Sequence, residues 1–360
     1  MQTLLEEFSP VISESTRQGA ERYKSQSGES SIEGEMSKKR EYKVVSLFSG
    51  CGGLDLGFVG GFNFLGTQYA SNPFKVIFAN DIMPSAVETH NHNFKENSCV
   101  CEDIKKLLDT NQFEISNADV VLGGFPCQDF SLAGNRKGFD TERGKLYWQM
   151  KKVIELTKPK VFIAENVKGL VLMPGALEKI KADFSKIMPA YAIQHKVLTA
   201  ADFGVPQLRE RVIIVGVRKD LKAQFKYPDP THAKVATKKL LPWISAHAAL
   251  SDLTDKHPNQ TQISKAKNYG VHLQGNKAIE KNQPSPTIRA EHHGNIEFHY
   301  SNKRRLSVRE CARLQSFPDT FDFTQSASKN YVLIGNAVPP VLGWHVAQSV
   351  LGVLKNNDAS

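Results

Sequence analysis

Between residues 42 and 218, short apolar runs alternate with segments of helical period, and few architectures accept that order. Val44–Phe48, Val76–Ala79, Val120–Leu122, Val161–Ala164 and Val212–Val217 are the expected strands. Between them lie candidate helices over Pro84–His92, Leu146–Thr157 and Leu177–Phe184. The alternation predicts an α/β domain, a mostly parallel sheet flanked by helices, over 42–218. Residues 1–41 are rich in Ser, Glu, Gln and Lys and are expected to form a flexible arm. Over 219–303 Lys, His, Asn, Gln and Pro rise and the periodicity fades, which predicts a separate, small, irregular lobe. In 304–360 the helical signal returns, over Ser307–Gln315 and Ala337–Leu354.

Composition narrows the function classes. A net charge of +9 suits a polyanionic partner. The five cysteines (51, 99, 101, 127 and 311) are odd in number and form no repeated C-x-x-C pair, so reduced thiols in a cytosol are expected rather than a disulfide framework or zinc site. His292-His293 has no third ligand at matching spacing, and no metal is expected. The N-terminus has no basic region followed by an apolar core, and no apolar run is expected to span a membrane.

The first strand runs into Phe48-Ser49-Gly50-Cys51-Gly52-Gly53-Leu54-Asp55. Glycines after a first strand let the backbone approach a ligand, and a following helix start favours polar or anionic groups. The G-x-G-G spacing departs from the G-x-G-x-x-G dinucleotide fingerprint, which disfavours a nicotinamide cofactor. Asp81, ending the second strand, is placed to accept from ribose hydroxyls, and Asp103 to face a base amino group; together they suit a smaller nucleoside. A tight turn without a ligand is the plainer alternative.

Further along, Pro126 fixes the exit from the strand Val120–Leu122 and sets Cys127 at the sheet edge, where ligands bind in doubly wound sheets. Glu165 emerges on the same edge after Val161–Ala164, placed to deliver a proton. Arg209 and Arg211, at alternate positions of an extended segment, are expected to face one anion or carbonyl oxygen together. A solvated glutamate and a surface basic pair are the plainer readings.

These blocks carry a family resemblance. Phe48-x-Gly50-x-Gly52, Pro126-Cys127-Gln128, Glu165-Asn166-Val167, Gln207-x-Arg209-x-Arg211 and Gly335-Asn336-Ala337-Val338 stand in the order found in cytosine-C5 DNA methyltransferases. Arg143-Gly144-x-Leu146-Tyr147 and Arg313-Leu314-Gln315-x-Phe317-Pro318 fill two further blocks, so the chain resembles that family over about residues 43 to 350. The resemblance implies a Rossmann-like S-adenosylmethionine-dependent methyltransferase fold, with 219–303 as target-recognition lobe and 304–360 completing the catalytic domain. It places S-adenosyl-L-methionine on Phe48, Gly50, Gly52, Gly53 and Leu54, with Asp81 on the ribose and Ile82, Asp103 and Ile104 near the adenine. Pro126, Leu146, Asn336 and Val338 are implied as further cofactor neighbours. Ile82 stands where the family often has an aromatic residue, which puts stacking there in question.

The implied reaction is methylation of C5 of a cytosine flipped out of duplex DNA. Cys127 would add to C6, Glu165 would hold N3 and the exocyclic amine, Arg211 would bind the O2 side, and Arg209 would order the site or lower the thiol pKa. Gln128, Ser131, Arg136 and Lys137, in a loop expected to close over the base, are candidate DNA contacts, as are Thr287 and Arg289 in the lobe. Implied partners are double-stranded DNA and a cognate restriction endonuclease acting separately, with the enzyme a monomer in a prokaryotic cytoplasm. A tRNA cytosine-C5 methyltransferase and a non-catalytic DNA-binding protein are the alternatives.

Overall fold

A computed structural model of the 360-residue chain describes residues 40–95, 99–125, 146–265, 277–290, 296–301 and 304–358. In chain order these form β1 (Tyr42–Leu47), α1 (Gly53–Val59), β2 (Phe62–Phe64), β3 (Thr67–Tyr69), β4 (Phe74–Asp81), α2 (Pro84–Asn93), β5 (Cys99–Cys101), α3 (Ile104–Asp109), β6 (Val120–Gly123) and α4 (Leu146–Thr157). There follow β7 (Val161–Val167), α5 (Gly169–Leu172), α6 (Ala176–Ser185), β8 (Tyr191–Thr199), β9 (Glu210–Arg218), β10 (His232–Ala233), β11 (Leu241–Pro242), α7 (Ala246–Leu250), α8 (Val308–Leu314), α9 (Ala327–Asn336) and α10 (Pro340–Asp358).

Among the described residues the main sheet has seven strands in the order β5-β4-β1-β6-β7-β9-β8. The pairings from β5 to β7 are parallel, whereas β9 runs antiparallel to both β7 and β8. The chain leaves β1 towards β4 and leaves β6 towards β7. Such a divergence opens a crevice at the carboxyl ends of two adjacent strands. All five expected strands lie in this sheet. β5 and β8 carried weaker signals: β5 has three residues, and β8 is an edge strand whose side chains are mostly half-exposed.

Alternate residues of the central strands point to opposite faces. Val44, Val120, Leu122, Val161 and Ile163 pack with α1 and α10, whereas Val45, Val121, Phe162 and Ala164 pack with α4 and α6. A third cluster joins Cys51 to Ala246, Leu250, Ile279, Ile288 and Ile296 and to the apolar side chains of α8 and α9. α8 starts where Ser307 and Glu310 form a reciprocal capping box, each side chain accepting from the other's main-chain N–H.

The closing helix differs from expectation. Ala337 is extended (φ −65°, ψ 149°), and α10 begins only at Pro340. A residue preceding proline is pushed out of the helical region, while proline itself suits a first helical turn, so Ala337–Pro339 form a link rather than a turn of helix. By length and composition alone Ala327–Asp358 could cross a membrane, contrary to the expectation, but it is two helices, and 72% of its apolar window is buried.

α1 reaches the sheet by crossing α10 very closely. A Cβ added to Gly57 would lie 2.6 Å from the Pro340 carbonyl oxygen and 2.7 Å from Gly343 Cα. Alanine favours a helix by about 1 kcal/mol over glycine, but overpacking against backbone costs about 1–3 kcal/mol, so the clash should win. Gly57→Ala is therefore expected to lower the denaturation midpoint; an unchanged or higher midpoint would contradict this packing.

Candidate active site

The ends of β1 and β6 frame the crevice. After Leu47, Phe48 turns with φ 54°, a left-handed conformation uncommon for an aromatic residue. Ser49 N–H donates to the Asn80 carbonyl at 2.9 Å, and Gly50 N–H to Asp81 Oδ2 at 2.9 Å. Asp81 Oδ1 accepts from Met83 N–H at 2.9 Å, so one carboxylate braces both the turn and the start of α2. Burial holds the Asp81 carboxyl above the ordinary carboxylate range, against the downward pull of the Met83, Gly50 and Ile82 N–H groups. Asn80 Nδ2 donates to the carbonyls of Val100 (3.2 Å) and Glu102 (2.7 Å), joining β4 to β5. Below the turn, Asp55 accepts from Ser46 Oγ at 2.6 Å and pairs with His90 Nε2 at 3.0 Å, both carboxylate and imidazole being buried.

The residues expected around a cofactor fall into three groups. Phe48, Gly50, Leu54, Asp81, Asp103 and Leu146 are half-buried, Leu54 against the core by α10, and Ile82 is 67% exposed beside Asp81. Gly52, Gly53 and Val338 are buried; a Cβ on Gly53 would lie 2.4 Å from the Val338 carbonyl oxygen, so the C-terminal link seats against the start of α1. Ile104 is buried in the core at the start of α3. Asp103 Oδ1 is the N-cap of α3, accepting from Lys105 N–H at 2.9 Å. Asn336 is exposed at the end of α9.

Glu165 and Arg211 meet at the same sheet edge. Glu165 lies opposite Ile213, and Arg211 opposite Val167, in the antiparallel β7–β9 ladder. Arg211 Nε stands 2.7 Å from Glu165 Oε1, with about a tenth of each side chain exposed. A Cβ on Gly124 would lie 3.1 Å from Glu165 Oε2, so the carboxylate rests against the chain just past β6. Asn166 Nδ2 donates to the Phe125 carbonyl at 3.1 Å, holding the same segment from its other side.

Alternation along a strand had suggested that Arg209 and Arg211 face one group together. Arg209 precedes β9, which starts at Glu210, and so escapes the strand's side-chain pattern. Its guanidinium, 1% exposed, donates to the carbonyls of Ile288 (3.0 Å), Gly335 (2.8 Å) and Ala337 (3.0 Å). Gln207, absent from the expected site residues although it heads the Gln207-x-Arg209-x-Arg211 block, is fully buried between Ile288 and the Leu314–Gln315 turn. Its burial depends on partners about a hundred positions away, which no local pattern announces.

Of the two residues expected to contact DNA from the 219–303 segment, Thr287 donates through Oγ1 to the Leu208 carbonyl at 3.2 Å, and Arg289 is exposed. Pro126, Cys127, Gln128, Ser131, Arg136 and Lys137, with the expected closing loop, lie outside the described residues. The four described cysteines offer no rival nucleophile on the crevice: Cys51, Cys99 and Cys311 are buried, and Cys101 is exposed on the edge strand β5. Burial pushes the Cys51 thiol up to about 12.

Comparison with known proteins gives a consistent result. The family model described as C-5 cytosine-specific DNA methylase matches residues 42–352. The type II methyltransferase M.NgoFVII of Neisseria gonorrhoeae is 35% identical over 349 residues, covering 89% of each chain. M.BsuRI of Bacillus subtilis is 36% identical over 355 residues, covering 85% of this chain and 78% of the relative. Among solved structures, a prophage-encoded DNA modification methyltransferase of E. coli superposes with TM-score 0.67 at 22% identity, covering 88% of this chain and all of that one. The S. pombe Dnmt2 methyltransferase gives TM-score 0.59 at 19% identity over 87% of this chain and 98% of its own. At such identities the structural likeness speaks for the fold.

Proposed function

Because the chain belongs to the C-5 cytosine-specific DNA methylase family, we propose that the crevice between β1 and β6 and the Glu165–Arg211 pair are the donor-binding and base-binding parts of its active site. The chain is a DNA (cytosine-5-)-methyltransferase that uses S-adenosyl-L-methionine. That cofactor supplies a methyl group activated by its sulfonium charge. The residues present fit it. Asp81 has an acceptor-rich carboxylate at the crevice, exposed Ile82 offers an apolar surface for a purine, and Asp103 keeps Oδ2 for a donor on the base. Phe48 and Gly50 line the turn where the backbone can approach closely.

For the target base, Glu165 orients the ring edge carrying N3 and the amine and delivers a proton to N3 as charge develops. Arg211, held by that same carboxylate, faces the O2 side. Cys127, two residues beyond the Phe125 carbonyl that Asn166 holds, adds its thiolate to C6 and gives C5 enamine character. Once C5 is methylated, a water molecule takes the C5 proton, the C6–S bond breaks to release the Cys127 thiolate, and the C5–C6 double bond is restored. The observation that carries this reading is the Glu165–Arg211 contact of 2.7 Å, set against Gly124 at the carboxyl end of β6. Because the cytosine must leave the stack first, Arg289, Thr287, Arg136, Lys137, Gln128 and Ser131 are assigned to DNA contacts around it.

Relatives named type II methyltransferases support a restriction–modification setting in a prokaryotic cytoplasm; in this reading the enzyme acts as a monomer beside a separate endonuclease. Bisulfite sequencing of host DNA after expression should show protected cytosines at one recurring short sequence. Parallel assays on duplex DNA and transfer RNA discriminate the substrates: incorporation into RNA alone would reject this assignment.

The raised Asp81 carboxyl gives a pH prediction. Ionised, it accepts from ribose hydroxyls more strongly and through both oxygens, so affinity for S-adenosylhomocysteine should fall on acidification, starting at a higher pH than an ordinary carboxylate would give. Asp81→Asn should flatten that profile and weaken binding roughly tenfold to a hundredfold. Calorimetric titration across pH checks both; a flat wild-type profile contradicts the assignment.

A further inference from the structure

Ile288 is held by both of its main-chain polar groups. Its N–H donates to Gln207 Oε1 at 2.9 Å, and its carbonyl accepts from Arg209 Nη1 at 3.0 Å. The neighbouring residues zip along the same segment: Leu208 N–H donates to the Ser285 carbonyl at 2.8 Å, and Ser285 N–H to the Pro206 carbonyl at 3.0 Å. The other ends of the two side chains reach a different part of the chain. Gln207 Nε2 donates to the Leu314 carbonyl at 3.0 Å and to Gln315 Oε1 at 2.5 Å. Arg209 Nη2 holds the Gly335 and Ala337 carbonyls, and Gln315 Nε2 donates to Ala337 as well. Gly335 passes directly under the segment, for a Cβ there would lie 2.3 Å from Ala290 N. One residue further on from Ala337, the Val338 carbonyl faces Gly53 at the start of α1.

We propose that Gln207 and Arg209 are positioning residues that register the recognition segment Ser285–Ala290 on the catalytic framework, so that correct target DNA is read out as rate at Glu165 and Arg211. The inference rests on the methyltransferase reading above and adds to it the means by which sequence is sensed. A guanidinium is a rigid planar fork whose two Nη groups here hold two segments at once, in a fixed geometry that the point charge of an ammonium does not impose. Withdrawing either segment leaves a buried charged donor without its acceptor, a loss larger than that of a neutral hydrogen bond. Displacement of Ser285–Ala290 by a wrong base pair is therefore felt at Gly335–Val338, beside the cofactor turn, and through Glu210 at Arg211, whose Nη1 donates to the Glu210 carbonyl at 2.8 Å. Gln207 has no charge to lose, but its amide must face one way to serve Ile288 N–H and the Leu314 carbonyl together.

The test uses the full-length enzyme, the duplex site found by bisulfite sequencing, and a duplex with one altered pair outside the methylated cytosine. Arg209→Lys should lower kcat on the correct duplex by about tenfold or more, within the usual range of coupling between sites. Its Kd for that duplex should change less than about threefold, and its rate on the altered duplex should also fall less than about threefold, so discrimination shrinks. Equal proportional loss on both duplexes, as a simple loss of folded protein would give, overturns the proposal, and so does an unchanged kcat. If Arg209→Lys does not fold, hydrogen exchange on the wild type decides. Peptides covering 285–290 and 335–338 should gain protection together on the correct duplex and not on the altered one; protection of only one, or equal protection by both duplexes, overturns the coupling. Absence of any wild-type methylation would instead sink the underlying activity.

Discussion

Cys127→Ser is expected to lower methyl transfer by about 10⁴-fold or more, the scale seen when a covalent nucleophile is removed from a unit that works together. Cytosine C5 is too weak a nucleophile to accept the methyl group unaided, and a serine hydroxyl, almost wholly protonated near neutral pH, cannot replace a thiolate. The described cysteines offer no substitute, since three are buried and Cys101 lies on the edge strand away from Glu165. Wild-type enzyme incubated with cofactor and a 5-fluorocytosine duplex should yield an adduct that survives denaturing electrophoresis, and the serine variant should yield none. Substantial methyl transfer by the variant would refute the covalent route.

Glu165→Gln should reduce kcat by about 10²–10⁴-fold, the usual contribution of a positioned proton donor. The amide keeps the size of the carboxyl group but cannot pass a proton to N3. It also removes the charge facing Arg211 Nε at 2.7 Å, in a place where only about a tenth of either side chain meets solvent. Breaking a buried ion pair costs roughly 3–5 kcal/mol, less where water reaches the pair, so the midpoint should fall as well. Activity is therefore to be measured well below the variant's own melting temperature, with DNA and cofactor binding followed alongside. A kcat within about threefold of wild type under those conditions would remove Glu165 from the chemistry.

How legible these features were depended on where each one's stabilising partners lie. Val120–Leu122 and Val161–Ala164 announce themselves because each is an unbroken apolar run covered on both faces of the sheet. β8 does not, because an edge strand keeps half its side chains near water. α1 was equally quiet: Gly53 and Gly57 are poor helix formers, and the helix is held mainly by its close crossing with α10. Ala337–Pro339 looked helical by apolarity, and two prolines converted it into an extended link. Glu165 was expected just after the strand Val161–Ala164 but lies within β7, which runs to Val167, and its arginine partner follows from the antiparallel β7–β9 register. Arg209 was grouped with Arg211 by spacing, whereas its acceptors are main-chain carbonyls 79 to 128 positions distant.

The order of residue types along the chain settled the α/β architecture, the glycine turn after β1 and the family blocks, since apolar runs, turn formers and reactive side chains are local properties that a sequence displays directly. Tertiary structure alone decided which groups share a site: that Glu165 meets Arg211, that Asp81 braces Gly50 and Met83, and that Ile288 hangs between Gln207 and Arg209. Main-chain carbonyls and N–H groups are the same at every position, so a partner of that kind acquires meaning only when packing brings distant segments within hydrogen-bond reach.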